Sequence, residues 1–209
     1  LNVSKHDVFS QLFGIAFDGS LLEIVPSILV GGELVLWKSN FVQCAMQRSV
    51  TVLQGPPNIL QNIEIELIKT IKIIASGGEV CPLSLIKKTA KHVRFLNMYG
   101  PTECSIFCTS HLVSYCDSWV SIGLPISNVQ VIIVNESLNL VPFGCVGELL
   151  IGGTGVGNGY WKHSELTKQC FVTTKYFAGK TFYKSGDLVR WRENTLEYIG
   201  RKDRQIKLK

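Results

Sequence analysis

The chain has 209 residues, enough for one large domain or two small ones with a sizeable core. Its 46% hydrophobic and 18% charged residues exclude intrinsic disorder. The net charge of +5 suits anionic partners, but the basic residues are scattered except near Arg190–Lys209, and without a nucleic-acid-binding module no nucleic-acid partner is expected.

In chain order, "DVFSQLFGIAFDGSLLEIVPSILVGGELVLW" opens the sequence. Leu21 to Leu29 reads as a helix packed on a sheet, Gly31-Gly32 as its stop, and "ELVLW" as a short strand. The most apolar stretch, Val8 to Val30, is broken by Gln11, Asp18, Glu23 and Pro26, so no membrane span is expected. A βα rhythm follows. "SVTVLQGPP" is a strand ending in a Pro-Pro turn, "NILQNI" begins a helix, and "IKIIASGGE" is a buried strand. "PLSLIKKTAKH" is a helix and "VRFLNMYGPTE" a strand running into a loop. Such alternation predicts a mostly parallel sheet flanked by helices, an α/β arrangement. After Cys116 the texture turns to short strands and glycine-rich turns, "VQVIIVN", "VGELLIGG", "FYKSGDLVRW" and "LEYIGR", which predict a small distorted β-barrel or bent sheet. The expected division is an α/β part over 1–115, a β-barrel-like part over 116–199 and a hinge over 200–209. Both ends are expected to be cuts in a longer chain.

The seven cysteines form no CxxC pair and their odd number cannot all be bridged within one chain, which predicts a reducing, cytoplasmic location. Two nucleotide signatures fail on spacing. In "IGGTGVGNGYW", the residue five places after Gly153, Gly155 or Gly157 is Asn158, Tyr160 or Lys162, where a dinucleotide fingerprint requires glycine. "AGKT" resembles the end of a phosphate-binding loop, yet Thr174 stands where its first glycine belongs. Both segments read as turns.

In α/β sheets, ligands sit beyond the carboxyl ends of the strands, where Gln54–Pro57, Ser76–Glu79 and Asn97–Glu103 fall. In "NMYGPTE", Gly100-Pro101 turns the backbone and sets an amide, an aromatic ring, a hydroxyl and a carboxylate close together. Those groups suit an adenine, a phosphate and a divalent cation. A strand ending in a tight turn with solvated polar groups would also explain this motif alone. "YKSGDLVRW" adds Asp187 after a Ser-Gly turn, suited to ribose hydroxyls, and "EYIGRKDRQIK" adds Tyr198 and Arg201.

With "FDGS", "GGE", "NMYGPTE", "GELLIGGTGVGNGYWKHSELT", "YKSGDL" and "GRKDRQIK" in order, the chain resembles the adenylate-forming superfamily: acyl-CoA synthetases, luciferases and nonribosomal peptide synthetase adenylation domains. The resemblance covers nearly the whole chain, as part of the large N-terminal domain, and is nearest to the peptide-synthetase branch. It implies that Asn97, Tyr99 and the Gly77-Gly78-Glu79 loop wall an adenine, that Thr102 touches the α-phosphate, and that Glu103 holds Mg²⁺. Asp187 would hold the ribose, Tyr198 would flank the nucleoside, Arg201 would lie near ribose and phosphate, and Asp203 would be the hinge of a C-terminal lid. Bland alternatives are a core role for Tyr198 and a solvated strand end for Arg201. Asp18 would pair with a substrate ammonium, or else cap the following helix. Gly19, Leu22, Gln54, Ile74, Ser76, Met98, Ile106 and Phe107 would line the rest of the acyl pocket.

The resemblance implies an ATP- and Mg²⁺-dependent ligase that converts a carboxylic acid, an amino acid by Asp18, to an acyl-adenylate. Transfer to phosphopantetheine on a carrier-protein domain, or to coenzyme A, would follow. Overall character, rather than any motif, points to the β-alanine-activating, aminoadipate-semialdehyde-dehydrogenase-like type. Ser185 replaces the common Thr of "TGD", and Leu22 replaces the usual aromatic. The family's phosphate loop and its lid lysine do not occur in these 209 residues, so this segment alone is expected not to turn over. The competing readings are a non-catalytic nucleotide-binding or scaffolding module and a luciferase-like oxygenase.

Overall fold

The computed structural model describes residues 2–37 and 40–202. These form two compact units: the described residues up to 98 with 111–120, and residues 99–110 with 121–202. The chain passes between them at 98/99, 110/111 and 120/121.

The first unit carries β1 (Val8–Ser10), α1 (Leu21–Val30), β2 (Glu33–Val35), α2 (Phe41–Gln47), β3 (Val52–Gly55), α3 (Pro57–Gln61), β4 (Ile73–Gly77), α4 (Leu83–Thr89) and most of β5 (Arg94–Tyr99). The strands pair in parallel in the order β2-β1-β3-β4-β5. β3 and β4 are buried along their full length, as their continuous apolar runs predict for a parallel sheet covered on both faces. Leu53, Ile74 and Phe95 are register partners on adjoining strands and are fully buried in one cluster with Leu60, Leu85 and Ile86. Sequence patterning did not pick out β1 and α2. β1 is only three residues long, and α2 begins at an Asn40 side chain that caps Gln43 N.

α1 ends where its glycines predict: Gly31 takes a left-handed φ of 68° and its N–H returns to the carbonyl of Ile28. Inside the helix, Pro26 has no N–H to give the carbonyl four residues back, that of Leu22. Gln54 supplies the missing donor: its Nε2 bonds the Leu22 oxygen at 2.7 Å, tying α1 to the end of β3.

Glu23, which sequence analysis registered only as an interruption, lies on the inner face of α1 with no exposed surface. Its carboxylate accepts from the backbone N–H groups of Leu12 (2.5 Å) and Phe13 (3.2 Å) and so fixes the loop after β1. Phe13 in turn stacks on Phe17 at 6.0 Å between ring centroids, and its ring lies so close to Gly19 that a β-carbon there would meet it at 2.8 Å.

The second unit carries the end of β5, the start of β6 (Thr109–Val113), β7 (Ser121–Pro125), β8 (Val129–Val134), β9 (Gly147–Gly153), α5 (Ser164–Cys170), β10 (Phe171–Thr173), β11 (Thr181–Arg192) and β12 (Thr195–Arg201). Its described pairings run antiparallel as β6-β7-β12-β11-β9-β8, with β10 on β11. One core face gathers Ile133, Leu149, Ile151, Val189 and Leu196, and the other gathers Val134, Leu150 and Phe182, following the period-two alternation of β8 and β9. Among the described residues no helix is long and apolar enough to cross a membrane.

Burial pushes the Glu23 carboxyl up to about 8 from an ordinary 4.5, while the Leu12 and Phe13 amides pull it back only in part. A carboxyl raised in the folded state contributes stability that is complete below its unfolded pKa and is lost as pH rises toward its folded one. The expected outcome is that urea-unfolding stability falls between about pH 5 and pH 8 and then levels, by an amount on the order of 5 kcal/mol. Glu23→Gln is expected to flatten that part of the profile. Parallel profiles for the two proteins would refute the assignment.

Candidate active site

In the first unit, the predicted residues gather at the carboxyl ends of the parallel strands. The register sets Gln54 opposite Ala75, Ser76 opposite Asn97 and Gly77 opposite Met98. By strand alternation, Ser76 and Asn97 share the face of Ile74, while Gln54 and Met98 take the face of α1. Ile74 is fully buried within the hydrophobic core. Gly77 is demanded by close approach, because a β-carbon would lie 2.8 Å from the Met98 carbonyl oxygen. Gly78 has a φ of 86° and Phe17 passes 3.9 Å from where its β-carbon would be, so the loop of Gly77–Glu79 lies beside the segment bearing Asp18 and Gly19.

Asp18 is half-buried in a single 3-10 turn, Asp18–Ser20, just before α1. No side-chain hydrogen bond caps that turn or α1, so the capping role is not the one its carboxylate takes. Leu22 sits in the first turn of α1, with its carbonyl held by Gln54. Because a carbonyl only accepts, Gln54 must present Nε2 to it, which leaves Oε1 as a buried acceptor. Gln54 Oε1 and Ser76 Oγ have no hydrogen-bond partner among the described residues, although both residues are about fully buried. Buried polar atoms are rarely left so, and a site that expects a polar ligand is one reason for it.

In the second unit, Asp187 is the centre of a polar cluster. Its carboxylate accepts from Tyr99 Oη at 2.5 Å, from Arg201 Nη1 at 3.3 Å and from Tyr198 Oη at 3.4 Å. Arg201 Nη1 also bonds the Ser185 carbonyl at 2.6 Å, and Ser185 Oγ accepts from Asp187 N while donating to Leu149 O. Ser185 thus still supplies the hydroxyl of the more common threonine. Gly186 is required twice over: its φ is 71°, and a β-carbon would sit 3.0 Å from Arg201 Nη2. Burial, and next the Asp187 charge, hold the Tyr99 hydroxyl well above its usual range, so it stays protonated and donates. The rings of Tyr99 and Tyr198 lie 6.3 Å apart, tilted by 42°. The sequence suggested a carboxylate that follows a Ser-Gly turn. Instead, Asp187 lies within β11, beside a register irregularity, and is 6% exposed.

Thr102 and Glu103 form a 3-10 turn after Pro101. Thr102 is exposed, and the half-buried Glu103 accepts from Tyr160 Oη at 2.6 Å. Ser105 and Ile106 follow with φ of 60° and 76°, the left-handed region that a β-branched residue seldom enters. That strained turn lays the 106–107 backbone across Gly100, where a β-carbon would meet Phe107 Cα at 2.3 Å. Ile106 and Phe107 are half-buried. The expected hinge residue Asp203 lies outside the described residues. Tyr160, Tyr183 and Gln54's bond to Leu22 were not foreseen; Pro26 inside an apolar helix was the available signal for the last.

A parallel sheet edged by unpaired polar atoms, followed by an antiparallel unit that holds a ringed carboxylate, defines part of the adenylate-forming fold. The N-terminal subdomain of NpsA from Klebsiella oxytoca, solved in complex with 3-hydroxybenzoyl-AMSN, superposes with a TM-score of 0.83 at 23% identity, covering 96% of this chain and 56% of that one. The chain belongs to the AMP-binding enzyme family, whose sequence model matches residues 1–161. Gramicidin S synthase 1 of Brevibacillus brevis is 37% identical over 100% of this chain, and surfactin synthase subunit 3 of Bacillus subtilis 34% identical over 99%. The chain spans about a fifth of the length of these curated relatives, 20% and 18%.

Removing the Asp187 carboxylate strands a buried tyrosine hydroxyl and a guanidinium. Asp187→Ala is therefore expected to lower unfolding stability by roughly 3 kcal/mol, as loss of one partner of a buried pair does. Asp187→Asn, which still accepts, is expected to lose less. Thermal and urea unfolding check this, and an Asp187→Ala protein as stable as the wild type would mean that the cluster is not held as described.

Proposed function

We propose that the protein activates an amino acid: the substrate carboxylate attacks the α-phosphorus of ATP, the bond to the β-phosphate oxygen breaks, and an aminoacyl-adenylate and pyrophosphate result. The observation that supports this best is the convergence of Tyr99, Tyr198 and Arg201 on the buried Asp187, in a chain of the AMP-binding enzyme family. Asp187, once its tyrosine and arginine partners have oriented it, accepts from the ribose hydroxyls. Tyr99, Asn97 and the Gly77-Gly78-Glu79 loop receive the adenine, and Tyr198 and Arg201 flank the nucleoside and its phosphate. Catalysis is then positioning and charge neutralisation.

Among the described residues no group of three or more His, Cys, Asp or Glu side chains is assembled as a metal cage. Mg²⁺ needs none, since it is held by one or two carboxylates together with water and substrate phosphates, and Glu103 fits that part. Bound there, the ion would neutralise charge on the phosphates, while the Thr102 hydroxyl donates to the α-phosphate. For the acid, Asp18 lacks a cap to bind and suits a substrate ammonium. Gly19, Leu22, Met98, Ile106 and Phe107 supply apolar wall, Gln54 Oε1 supplies an acceptor for a polar side chain on the face of α1, and Ser76 Oγ offers a hydroxyl at the end of β4 on the other face. A carrier-protein phosphopantetheine is the proposed acyl acceptor, supported by the likeness to an artificially fused adenylation-PCP di-domain from Klebsiella oxytoca. The segment from residue 200 onward, with Asp203, is the proposed hinge. The seven cysteines without a CxxC pair support a cytoplasmic location.

Acid-dependent pyrophosphate exchange, measured on the intact protein with a panel of amino and fatty acids, tests the reading. Asp18→Ala is expected to lower kcat/KM for the preferred amino acid by about ten-fold to a hundred-fold, the value of one charged hydrogen bond, with KM for ATP little changed. Equal losses for acid and ATP, or a preference for fatty acids, would reject the role of Asp18. Nucleotide binding with no exchange on any acid would assign a non-catalytic module.

A further inference from the structure

The glycine-rich stretch "GGTGVGNGYW" carries no phosphate fingerprint, yet the second unit wraps it tightly around Glu103. Gly157 N donates to the Glu103 carbonyl at 2.8 Å, and Ser105 Oγ donates to the Gly155 carbonyl at 2.7 Å. A β-carbon at Gly155 would meet the Cys104 carbonyl at 3.2 Å, and one at Gly157 the Glu103 carbonyl at 3.4 Å, so the segment runs against the turn that bears Glu103. It then passes through Gly159, whose φ of 125° and 2.3 Å approach to Thr167 Cγ2 admit no side chain, and Thr167 Oγ1 receives the Tyr160 N–H at 2.9 Å. The result of that path is the Tyr160 hydroxyl on Glu103 Oε1 at 2.6 Å. Because this hydroxyl has one proton and the carboxylate only accepts, the proton goes to Glu103, and Tyr183 Oη, 3.4 Å away, donates to Tyr160. The Tyr160 ring is itself braced edge-on against Phe171 at 5.6 Å.

We propose that Tyr160 is a positioning residue for the metal carboxylate: its hydroxyl engages one oxygen of Glu103, fixes the rotation of the carboxylate and leaves the second oxygen for a divalent cation. This rests on the reading of Glu103 as the Mg²⁺ ligand. The glycines of 153–159 serve it by letting the backbone lie flat against the Glu103 turn before Tyr160 reaches back. Supporting groups of this kind commonly set metal affinity by ten-fold to a hundred-fold, without touching the ion.

The test uses the intact protein with a non-hydrolysable ATP analogue and Mn²⁺, reading bound metal by electron paramagnetic resonance, alongside the Mg²⁺ dependence of pyrophosphate exchange. Tyr160→Phe keeps the ring and its contact with Phe171. It is expected to weaken Mn²⁺ binding about ten-fold and to raise the Mg²⁺ needed for half-maximal exchange by a similar factor. Excess Mg²⁺ is expected to restore its rate, with KM for the amino acid unchanged. Tyr183→Phe should show the same effect to a lesser degree. If Glu103→Ala weakens Mn²⁺ binding and Tyr160→Phe does not, the positioning role is overturned while the metal assignment stands. If Glu103→Ala leaves Mn²⁺ binding unaltered, the metal assignment falls and this inference falls with it. A Tyr160→Phe rate that excess Mg²⁺ fails to restore would likewise overturn the proposal by marking a purely structural loss.

Discussion

A carboxylate taken out of water must be given donors, and in this protein that requirement organises the surroundings of the proposed site. Asp187 lies within a strand and draws its donors from the end of β5 and from two positions on β12, and the Ser185 hydroxyl accepts its backbone N–H. Two of these partners are fixed by a further bond, Arg201 to the Ser185 carbonyl and Ser185 to the Leu149 carbonyl. A ligand that offered two hydroxyls to such a carboxylate would meet a group that is already oriented, which is the condition under which polar contacts give specificity.

Glu23 obeys the same rule in the first unit, with backbone amides in place of side chains. Its bonds to Leu12 and Phe13 hold the loop that brings Phe13 under Gly19 and stacks it on Phe17, on either side of Asp18. Pro26 adds a second tie by releasing the Leu22 carbonyl to Gln54. The segment proposed to receive the acid is therefore held from beneath by one buried carboxyl and from the strand end by one side-chain amide. The Gln54 oxygen and the Ser76 hydroxyl remain to be satisfied.

Backbone proximity is the other recurrent device. Gly77 against Met98, Gly100 against Phe107 and Gly186 against Arg201 are each places where a β-carbon would collide with a group belonging to the proposed site or its support. Every one lies in a stretch the sequence already marked, but the reason for the glycine differs in each: a neighbouring strand, a crossing loop and a guanidinium.

The sequence by itself determined the local elements and the order of the motifs. The runs "TVLQG", "IKIIASG" and "RFLNMY" are apolar enough to be buried parallel strands, Gly31 stops α1, and "YKSGDL" and "EYIGR" read as strands bearing Asp187, Tyr198 and Arg201. These follow from periodicity and backbone preference, which act over a few residues. Short pieces such as β1, α2 and β10 escaped because their patterns are no longer than chance. Tertiary structure alone decided the partners. Tyr99 and Asp187 are 88 positions apart, Tyr160 and Glu103 are 57 apart, and Gln54 and Leu22 are 32 apart. No local propensity encodes such a pairing; it arises when strand register and close glycine contacts bring distant segments within hydrogen-bond reach, and only then does a turn motif become a support for a carboxylate.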